Sequence, residues 1–587
     1  MMLRLSGTAA GSGIAVGPVR LPAPRILIEE RRVAPERRSA EISRLDSAVA
    51  SADAAMAEVG RHATAPAEAG TDIVEAHRAI LQSEELVDGA RQLIRERGIG
   101  AEWAIRMVVD QLGLRFAQME DARFRERFAD VEQVAEHLLR RLLGLPVIRD
   151  DESVAGAIVV GFDLSPVDAL QLHRLGVAGF ATERGGPTSH AAVVARALGL
   201  PFVFGVHGLV EAVHAGDTLC VDANFSEVVV RPDAATLHSF DERRAAEAER
   251  FRLVATTRQS PAVTLDGTAV SLGANIESAT EVVAALEAGA DHIGLVRTEL
   301  LYLARPALPS EEEQYRDAVD ILRAAAGHPV TFRTLDLGGD KLPLGVRIPV
   351  GPNPALGMRG IRFSLDRQDI FRTQLRALYR AAAVGPLRIL LPLVSRVTEM
   401  REARRICARV CEELALEGLA YDAHAPLGAM IETPSAVFTA DHIAAESDFI
   451  SVGTNDLIQY AFAADRQNED MAYLYQPMHP SILRALAQVF AAAAASKRPV
   501  SVCGDMAGDP WNTWLLIGLG LRSFSMAMPE LAFVKSVVRK TELPLAEELA
   551  RAALALTSAE EVAALASARF GARLALELDG RARPRSR

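Results

Sequence analysis

Residues Glu183–Pro201 read Glu-Arg-Gly-Gly-Pro-Thr-Ser-His-Ala-Ala-Val-Val-Ala-Arg-Ala-Leu-Gly-Leu-Pro. This stretch predicts a tight turn followed by a helix, because a Gly-Gly-Pro step favours a turn and a Thr-Ser pair is suited to cap a helix. The apolar run Val177–Ala181 before it predicts a strand. The Gly-Leu-Pro step ends the helix after about two or three turns. His190 is therefore predicted to lie in the first helical turn.

The predicted position of His190 suits phosphoryl transfer. The N–H groups and the positive dipole end at a helix start attract anions and disfavour a protonated imidazole. We therefore expect a neutral, nucleophilic His190 near pH 7. Such an imidazole could attack phosphorus and hold the product phosphate against the helix start, as a phosphohistidine. A histidine that only caps or packs remains the alternative on this stretch alone.

The composition predicts a large globular protein. A chain of 587 residues is too long for one core, so we expect two to four domains. The net charge of −12 argues against general nucleic-acid binding and favours a partner with a basic face. The four cysteines are too few and too scattered for a disulfide framework. The sequence contains no long uncharged apolar run and no signal peptide, so we expect a cytoplasmic protein without membrane insertion.

The N-terminal part changes pattern twice. Leu3–Leu21 reads as a loop and a strand that need a partner later in the chain. Glu36–Leu145 is helical, and from Ile42 to Val59 its apolar residues alternate between spacings of three and four. From Asp151 onward strands and helices alternate. We therefore predict an α/β domain at 1–24 and 146–238, interrupted by a helical bundle at 25–145.

The C-terminal part predicts a barrel. A charged, alanine-rich run at Phe240–Arg252 predicts an exposed helix within a linker at 239–260. Eight strand candidates follow, near Ala269–Ala274, Asp291–Val296, Val330–Thr334, Leu387–Leu393, Leu427–Ile431, Asp448–Val452, Val500–Cys503 and Ser523–Met526. Eight strand–helix repeats predict a (β/α)₈ TIM barrel at 261–577. The basic tail at 578–587 is predicted to be disordered.

Polar residues follow the barrel strands in a repeated register, at the end where such barrels carry their chemistry. They are Asn275, Arg297, Arg333, Glu432, Asn455, Asp456 and Cys503, and Lys341 and Arg359 are predicted to add positive charge at the same mouth. Arginine forks match carboxylate and phosphate oxygens, and paired carboxylates suit Mg²⁺. A positioned thiol can protonate a leaving group. Each residue alone is explained as well by a surface ion pair or a buried thiol, but together they predict a site for a small phosphorylated acid.

Several motifs carry a resemblance to a known family. Gly-Gly-Pro-Thr-Ser-His-Ala-Ala-Val-Val-Ala-Arg resembles the phosphohistidine signature of phosphoenolpyruvate-utilising enzymes. The segments Glu432-Thr-Pro, Ser451-Val-Gly-Thr-Asn-Asp-Leu-Ile-Gln-Tyr and Asp465-Arg-Gln-Asn resemble the metal and substrate signature of Enzyme I of the sugar phosphotransferase system. The resemblance runs from about Leu5 to Glu577. It implies a multidomain α/β protein: a swivelling phosphohistidine domain with an inserted helical bundle, then a TIM barrel through which the chain forms a homodimer.

The resemblance also implies a reaction. Phosphoenolpyruvate would phosphorylate His190 with Mg²⁺ as cofactor, and the phosphoryl group would pass to a histidine of the carrier protein HPr as the first step of sugar uptake, with release of pyruvate. The implied roles are phosphoenolpyruvate binding by Arg297, Arg333, Asn455 and Arg466, Mg²⁺ binding by Glu432 and Asp456, and proton donation by Cys503. Lys341 and Arg359 would add positive charge at the same mouth.

The helical bundle contains a segment, Glu75–Leu86, that resembles the HPr-docking segment of this family. By that resemblance Glu84 and Glu85 would face a basic partner. Apolar contact would come from His77, Ile80 and Leu86. A generic acidic helix face is the alternative explanation for the individual glutamates.

Two other readings of the sequence stay open. Pyruvate phosphate dikinases and phosphoenolpyruvate synthases share the swivelling and barrel parts but carry a nucleotide-binding domain, where this chain has about 110 helical residues and no Gly-rich phosphate loop. A non-catalytic regulatory paralogue would keep the fold, but this sequence retains every polar residue that the chemistry needs. No sensory domain is expected before Leu3, which disfavours the nitrogen-regulatory relative.

Overall fold

The computed structural model describes residues 2–9, 13–21, 28–61, 77–117, 122–145, 154–185, 194–195, 198–303, 307–337, 353–465 and 469–574. Two compact units make up the chain, Met1–Ala248 and Glu249–Arg587. His190, Lys341 and Arg466 lie outside the described residues, as do the predicted helix start beside His190 and the predicted disordered tail.

A mixed eight-stranded sheet forms the base of the first unit. Its strands are β1 Leu3–Ser6, β2 Thr8–Ala9, β3 Ile14–Arg20, β4 Ile158–Gly161, β5 Gly179–Thr182, β6 Phe202–Phe204, β7 Thr218–Asp222 and β8 Glu227–Val230. They lie in the spatial order β1-β8-β7-β3-β4-β5-β6-β2. Strand β3 pairs antiparallel with β7 and parallel with β4. The N-terminal segment therefore does find its partners far along the chain, as the sequence predicted.

The helices of this unit are α1 Arg38–Arg61, α2 Gly89–Arg97, α3 Ala101–Ala117, α4 Ala122–Leu143, α5 Pro166–Arg174, α6 Leu209–Ala212 and α7 Ala234–Ala255. Helices α1 to α4 form the bundle inserted between β3 and β4. On α1 the side chains of Leu45, Ala52 and Met56 are buried. The alternating three–four spacing of apolar residues thus marks the buried stripe of this helix.

The helical pattern predicted over Glu36–Leu145 is interrupted inside the bundle. Residues 77–81 are helical, but this helix ends there, and a π-helical turn, Glu84–Asp88, precedes α2. Gln82 hydrogen-bonds through its side chain to Asp53 of α1, and the next residue is a serine. Serine hydroxyls compete with helical backbone hydrogen bonds, which favours a break at this point.

Helix α7 is longer than the predicted linker helix and is not exposed along its whole length. It begins at Ala234, where Asp233 accepts a hydrogen bond from the Thr236 amide at 2.8 Å. Phe240 is only 1% exposed and packs against Cys220 and Val229. The N-terminal part of the helix is therefore anchored on the first unit, and the division between the units falls after Ala248, inside the helix.

The second unit is built on a closed barrel of eight parallel strands. They are β9 Ser271–Ile276, β10 His292–Arg297, β11 Val330–Arg333, β12 Leu387–Val394, β13 Leu427–Ile431, β14 Ile450–Val452, β15 Val500–Val502 and β16 Ser523–Met526. The predicted TIM barrel is confirmed, and each predicted strand end lies within about two residues of the observed one, the usual uncertainty of such boundaries.

The surrounding helices are α8 Thr280–Glu287, α9 Glu299–Leu303, α10 Glu311–Ala324, α11 Gly360–Asp366, α12 Gln368–Ala382, α13 Val397–Leu416, α14 Pro434–Phe438, α15 Ala440–Ala445, α16 Thr454–Phe462, α17 Pro480–Ala495, α18 Asp505–Gly508, α19 Pro510–Gly518, α20 Leu531–Arg539, α21 Leu543–Ala553 and α22 Ala559–Phe570. None of the helices among the described residues has the length and apolarity that crossing a bilayer requires.

Successive side chains of the barrel strands alternate between two environments. One set packs outward against the helices in a single large core, for example Ile389, Leu391 and Val502. Leu390 and Met430, on the other face of their strands, join Cys503 in a separate apolar cluster. Of this cluster, Met430 and Cys503 also line the site described next.

Candidate active site

A cavity of about 820 Å³ opens where the barrel strands end. Its walls include seven residues predicted from the sequence, namely Arg297, Arg333, Arg359, Glu432, Asn455, Asp456 and Cys503. They come from five different strand ends and the loops after them, which a barrel brings to one mouth. Asn275, also predicted at this mouth, donates to the Cys503 carbonyl oxygen at 3.1 Å.

Three carboxylates meet in the wall of the cavity. Asp336, Glu432 and Asp456 are all buried, and one oxygen from each lies within 4.8 Å of the others. Burial raises the pKa of Glu432 well above its ordinary value, and the neighbouring charges of Asp456 and Asp336 raise it further. Packed carboxylates with oxygen donors fit a hard divalent cation, which would relieve their repulsion. Glu432 and Asp456 were predicted as ligands; Asp336 was not.

The backbone around Glu432 is shaped to hold its carboxylate. The Leu393 amide, at the end of β12, donates to Glu432 Oε1 at 2.6 Å. Leu393 has φ +56°, a left-handed conformation that is strained for leucine. At Gly453 a Cβ atom would lie 2.3 Å from Glu432 Oε2, so only glycine leaves room for the carboxylate there.

Two buried arginines border the acidic cluster. Arg359 donates from Nη2 to Asp336 and to Asp456, each at 2.8 Å, and Arg333 donates to Glu299 at 3.0 Å and pairs with Asp336 at 3.1 Å. Burial alone would lower the pKa of both guanidinium groups, but the adjacent carboxylates outweigh burial and raise it. Both arginines therefore stay charged, and they are held as fixed donors in the wall of the cavity.

Asp336 was not predicted as a site residue, although its position in the sequence indicates one. It stands three residues after Arg333 in Phe-Arg-Thr-Leu-Asp-Leu-Gly-Gly-Asp-Lys, in the loop that follows β11. From that motif only the arginine and Lys341 were selected. A carboxylate just past a barrel strand could have been included by the same register argument that selected Glu432.

Arg297 is held more loosely than the other two arginines. Its side chain is 41% exposed, and its guanidinium lies 3.6 Å from the carboxylate of Glu277 at the rim of the cavity. A long, partly exposed side chain whose ion pair with Glu277 is this distant can reorient at small cost, because surface ion pairs of this kind contribute little. Arg297 can therefore turn toward an anion in the cavity.

Cys503 is a buried thiol at the cavity floor. It is 4% exposed, and the Ser451 hydroxyl donates to its sulfur at 3.2 Å. Burial raises the pKa of the Cys503 thiol to about 11, and the negative charge of Glu432 acts in the same direction. The thiol therefore keeps its proton at neutral pH, as a proton donor requires.

The bundle residues predicted to contact HPr fall into two groups. Glu85 is exposed, and Ile80 is half-buried beside an apolar cavity of about 290 Å³ lined also by Leu86 and Phe116. His77 and Leu86 are only 2% and 1% exposed, although Leu86 lines this cavity. These two side chains therefore offer little open surface to a partner, and their part in docking stays a prediction. The side chain of Glu84 lies outside the described residues.

Three family models match successive parts of the chain. It matches the N-terminal domain of PEP-utilising enzymes over residues 6–127, their mobile domain over residues 154–225 and their PEP-binding domain over residues 252–543. The cavity and every barrel strand up to β16 lie within the third match.

Individual relatives match over their full length. The phosphoenolpyruvate-protein phosphotransferase of Cupriavidus necator is 40% identical over 96% of this chain and 99% of its own length. The proteins of the same name from Geobacillus stearothermophilus and Bacillus subtilis are 38% and 37% identical, over 96% and 97% of this chain and 98% and 100% of their own lengths.

Proposed function

This chain belongs to the family of phosphoenolpyruvate-protein phosphotransferases, and on that basis we propose how its residues divide the work. The chain is an enzyme that moves the phosphoryl group of phosphoenolpyruvate to a carrier protein. We assign the acceptor role to His190, from which the group passes to a histidine of HPr while pyruvate is released. The observation that carries this proposal is the barrel-end cavity, where fixed cations, a carboxylate cluster and a protonated thiol meet.

Phosphoenolpyruvate carries a carboxylate and a phosphate, and the cavity offers donors suited to both. Arg333 and Arg359 are held by carboxylates, and we propose that the partly exposed Arg297 turns toward the ligand from the rim. Asn455 adds an uncharged donor. We assign phosphoenolpyruvate binding to Arg297, Arg333, Asn455 and Arg466, with Lys341 and Arg359 supplying further positive charge. Preorganised charge of this kind stabilises a transferring phosphoryl group.

We assign Mg²⁺ to Glu432 and Asp456, with Asp336 beside them. When bound, the ion supplies charge neutralisation for the phosphoryl oxygens and the enolate oxygen. The protein's own contribution is to hold the carboxylates ready, Glu432 through the Leu393 amide and Asp456 through Arg359.

Cys503 completes the reaction at carbon. Loss of the phosphoryl group leaves the enolate of pyruvate, whose C3 carbon needs a proton. We propose that the S–H bond of Cys503 breaks as the C3–H bond forms, which leaves a thiolate that later regains a proton from solvent. The raised pKa of the Cys503 thiol keeps this donor protonated between turnovers.

The second partner is a carrier protein with a basic face. The net charge of −12, the exposed Glu85 and the apolar cavity beside Ile80 support docking of HPr on the helical bundle. His190 has to meet both the barrel cavity and HPr, so we propose that its domain swivels. The work of this enzyme on phosphoenolpyruvate, a metabolite of the cell interior, agrees with the expected cytoplasmic location.

We also propose a homodimer formed through the barrel. Leu356 and Phe438 of the second unit are 63% and 74% exposed, and a second barrel could cover such large apolar side chains. Sedimentation of the whole protein and of a Phe438→Glu variant tests this. A shared monomeric mass for both proteins would contradict it.

A fragment experiment tests the division of labour between the two units. A fragment that ends near Arg250 contains the compact first unit, with His190 and the bundle, but none of the proposed Mg²⁺ ligands. It should accept labelled phosphate from phospho-HPr and return it, and it should not react with labelled phosphoenolpyruvate. The same fragment with His190→Ala is the control and should take up no label. Labelling of the fragment by phosphoenolpyruvate would show that the division is wrong.

A further inference from the structure

The side-chain amide of Asn455 is held by two donors on one side. The backbone N–H of Asp505 donates to Asn455 Oδ1 at 2.8 Å, and the hydroxyl of Tyr475 donates to the same oxygen at 3.1 Å. A backbone N–H can only donate, so the amide atom that faces it must be the oxygen. The orientation of the Asn455 amide is therefore fixed by its neighbours.

This orientation has a consequence for ligand binding. Asn455 lines the cavity, and its oxygen already accepts two hydrogen bonds from the protein. The group that remains for a ligand is the NH₂ of the amide, which can only donate. An anion is thus offered a donor, whereas a flipped amide would present its oxygen and repel negative charge.

Glycine at position 504 makes the backbone half of this arrangement possible. A Cβ atom on Gly504 would lie 2.0 Å from Thr454 Oγ1 and 2.9 Å from Asn455 Oδ1. Only glycine therefore lets the segment after Cys503 come close enough for the Asp505 amide to donate. The second hydrogen bond to the Asn455 oxygen comes from the Tyr475 hydroxyl, which a Tyr-to-Phe substitution removes without changing the ring.

We propose that Tyr475 is a positioning residue for phosphoenolpyruvate: its hydroxyl locks the Asn455 amide so that the NH₂ group donates to an anionic oxygen of the substrate. The ring of Tyr475 is partly buried and packs against the barrel core, so the hydroxyl is held at a fixed place. Tyr475 acts through Asn455 and need not touch the substrate. This inference rests on the proposed function, because it takes Asn455 to be a ligand of the substrate.

The size of the effect follows from the number of hydrogen bonds lost. Tyr475→Phe removes one of two donors to the amide oxygen and keeps the ring, so it should raise KM for phosphoenolpyruvate about 3- to 10-fold. Because the amide contacts bound substrate in the ground state, kcat should change less than KM. Asn455→Ala removes the donor to a charged oxygen and should cost about 10- to 100-fold in kcat/KM.

The experiment is a double-mutant cycle on the full chain, with pyruvate release from phosphoenolpyruvate as the readout in the presence of HPr and Mg²⁺. It compares wild type, Tyr475→Phe, Asn455→Ala and the double variant. Tyr473→Phe is the matched control, since Tyr473 is 54% exposed and only two residues away. The control should retain wild-type KM and kcat.

A positioning role predicts that the Tyr475→Phe effect falls below about twofold in the Asn455→Ala background, because the amide it orients is gone. Effects that multiply independently would overturn the proposal, as would wild-type KM in Tyr475→Phe. If the wild type released no pyruvate, the proposed function itself would fail. If Asn455→Ala alone had no effect, the substrate role of Asn455 would fail and the inference with it.

Discussion

Replacing Cys503 by alanine should separate the two half-reactions of this enzyme. The thiol lies on the floor of the barrel cavity, and a well-placed general acid contributes about 10²- to 10⁴-fold to a rate. We therefore expect pyruvate formation to fall by about that factor in Cys503→Ala. Exchange of phosphate between His190 and HPr should stay near the wild-type rate, because it needs neither the enolate nor its proton.

The proton-donor role of Cys503 also predicts how much of the thiol is ionised at a given pH. Burial first, and then the charge of Glu432, raise the pKa of the thiol from about 9 to about 11. A raised pKa means that the neutral thiol persists to higher pH. At pH 7.5 the thiolate fraction is then about 0.03%, against about 3% for a thiol of pKa 9.

Alkylation by iodoacetamide, followed by mass spectrometry of the Cys503 peptide between pH 7 and 10, measures this fraction. The rate should rise about tenfold per pH unit without a plateau in that range, because only the thiolate reacts. A plateau below about pH 9 would show an ionised thiol and refute the donor assignment. Equal damage to both half-reactions in Cys503→Ala would refute it independently.

Three further predictions concern stability and the metal. Lys535→Met should lower the free energy of unfolding of the barrel by about 2–4 kcal/mol in a denaturant titration, since the buried Lys535 amine donates to two backbone carbonyls, those of Arg258 and Gly289. Burial alone would raise the pKa of Glu41, but hydrogen bonds from Arg44 and a backbone amide lower it to about 2. The ionised Glu41 should therefore make the free energy of unfolding of the wild type about 1–2 kcal/mol higher than that of Glu41→Gln, after solvent screening. This difference should be complete above about pH 5 and vanish as the pH falls toward 2, as acid unfolding curves can measure. Glu432→Gln should raise the Mg²⁺ concentration for half-maximal pyruvate release at least about tenfold, because removing a residue that only hydrogen-bonds a metal ligand already costs that much in metal affinity. An unchanged Mg²⁺ requirement would contradict the metal assignment.

The barrel was predictable from sequence because its strands are short apolar runs, each followed by polar residues in the same register. Runs such as Leu427–Ile431 are buried on both faces and are therefore apolar throughout, so the strand ends where the apolar run ends in the sequence. The same register selected Glu432 and Cys503, which the fold then brings into one cavity. Local pattern and long-range arrangement agree here because a closed parallel barrel brings all strand ends to the same mouth.

Other features depend on packing between distant segments. Tyr475 reaches Asn455 across twenty residues of sequence, and no spacing rule connects a tyrosine after a short helical turn to an amide at a helix start. The burial of Leu86 could not be inferred either, because it lies in the π-helical turn Glu84–Asp88, which changes which face of the segment meets the bundle core. Helix α7 is longer than predicted because the uncharged residues 234–239 precede the charged run, and the start of the helix is set by the Asp233 cap.

The most direct test of the central claim is a single-turnover reaction of the full chain with labelled phosphoenolpyruvate and Mg²⁺ in the absence of HPr. The account predicts one pyruvate released per chain together with one phosphate on His190 that is labile in acid and stable in base, and continued pyruvate release once HPr is added. His190→Ala should still bind phosphoenolpyruvate but release no pyruvate. Pyruvate release without a phosphoprotein, or label that persists in His190→Ala, would contradict the account.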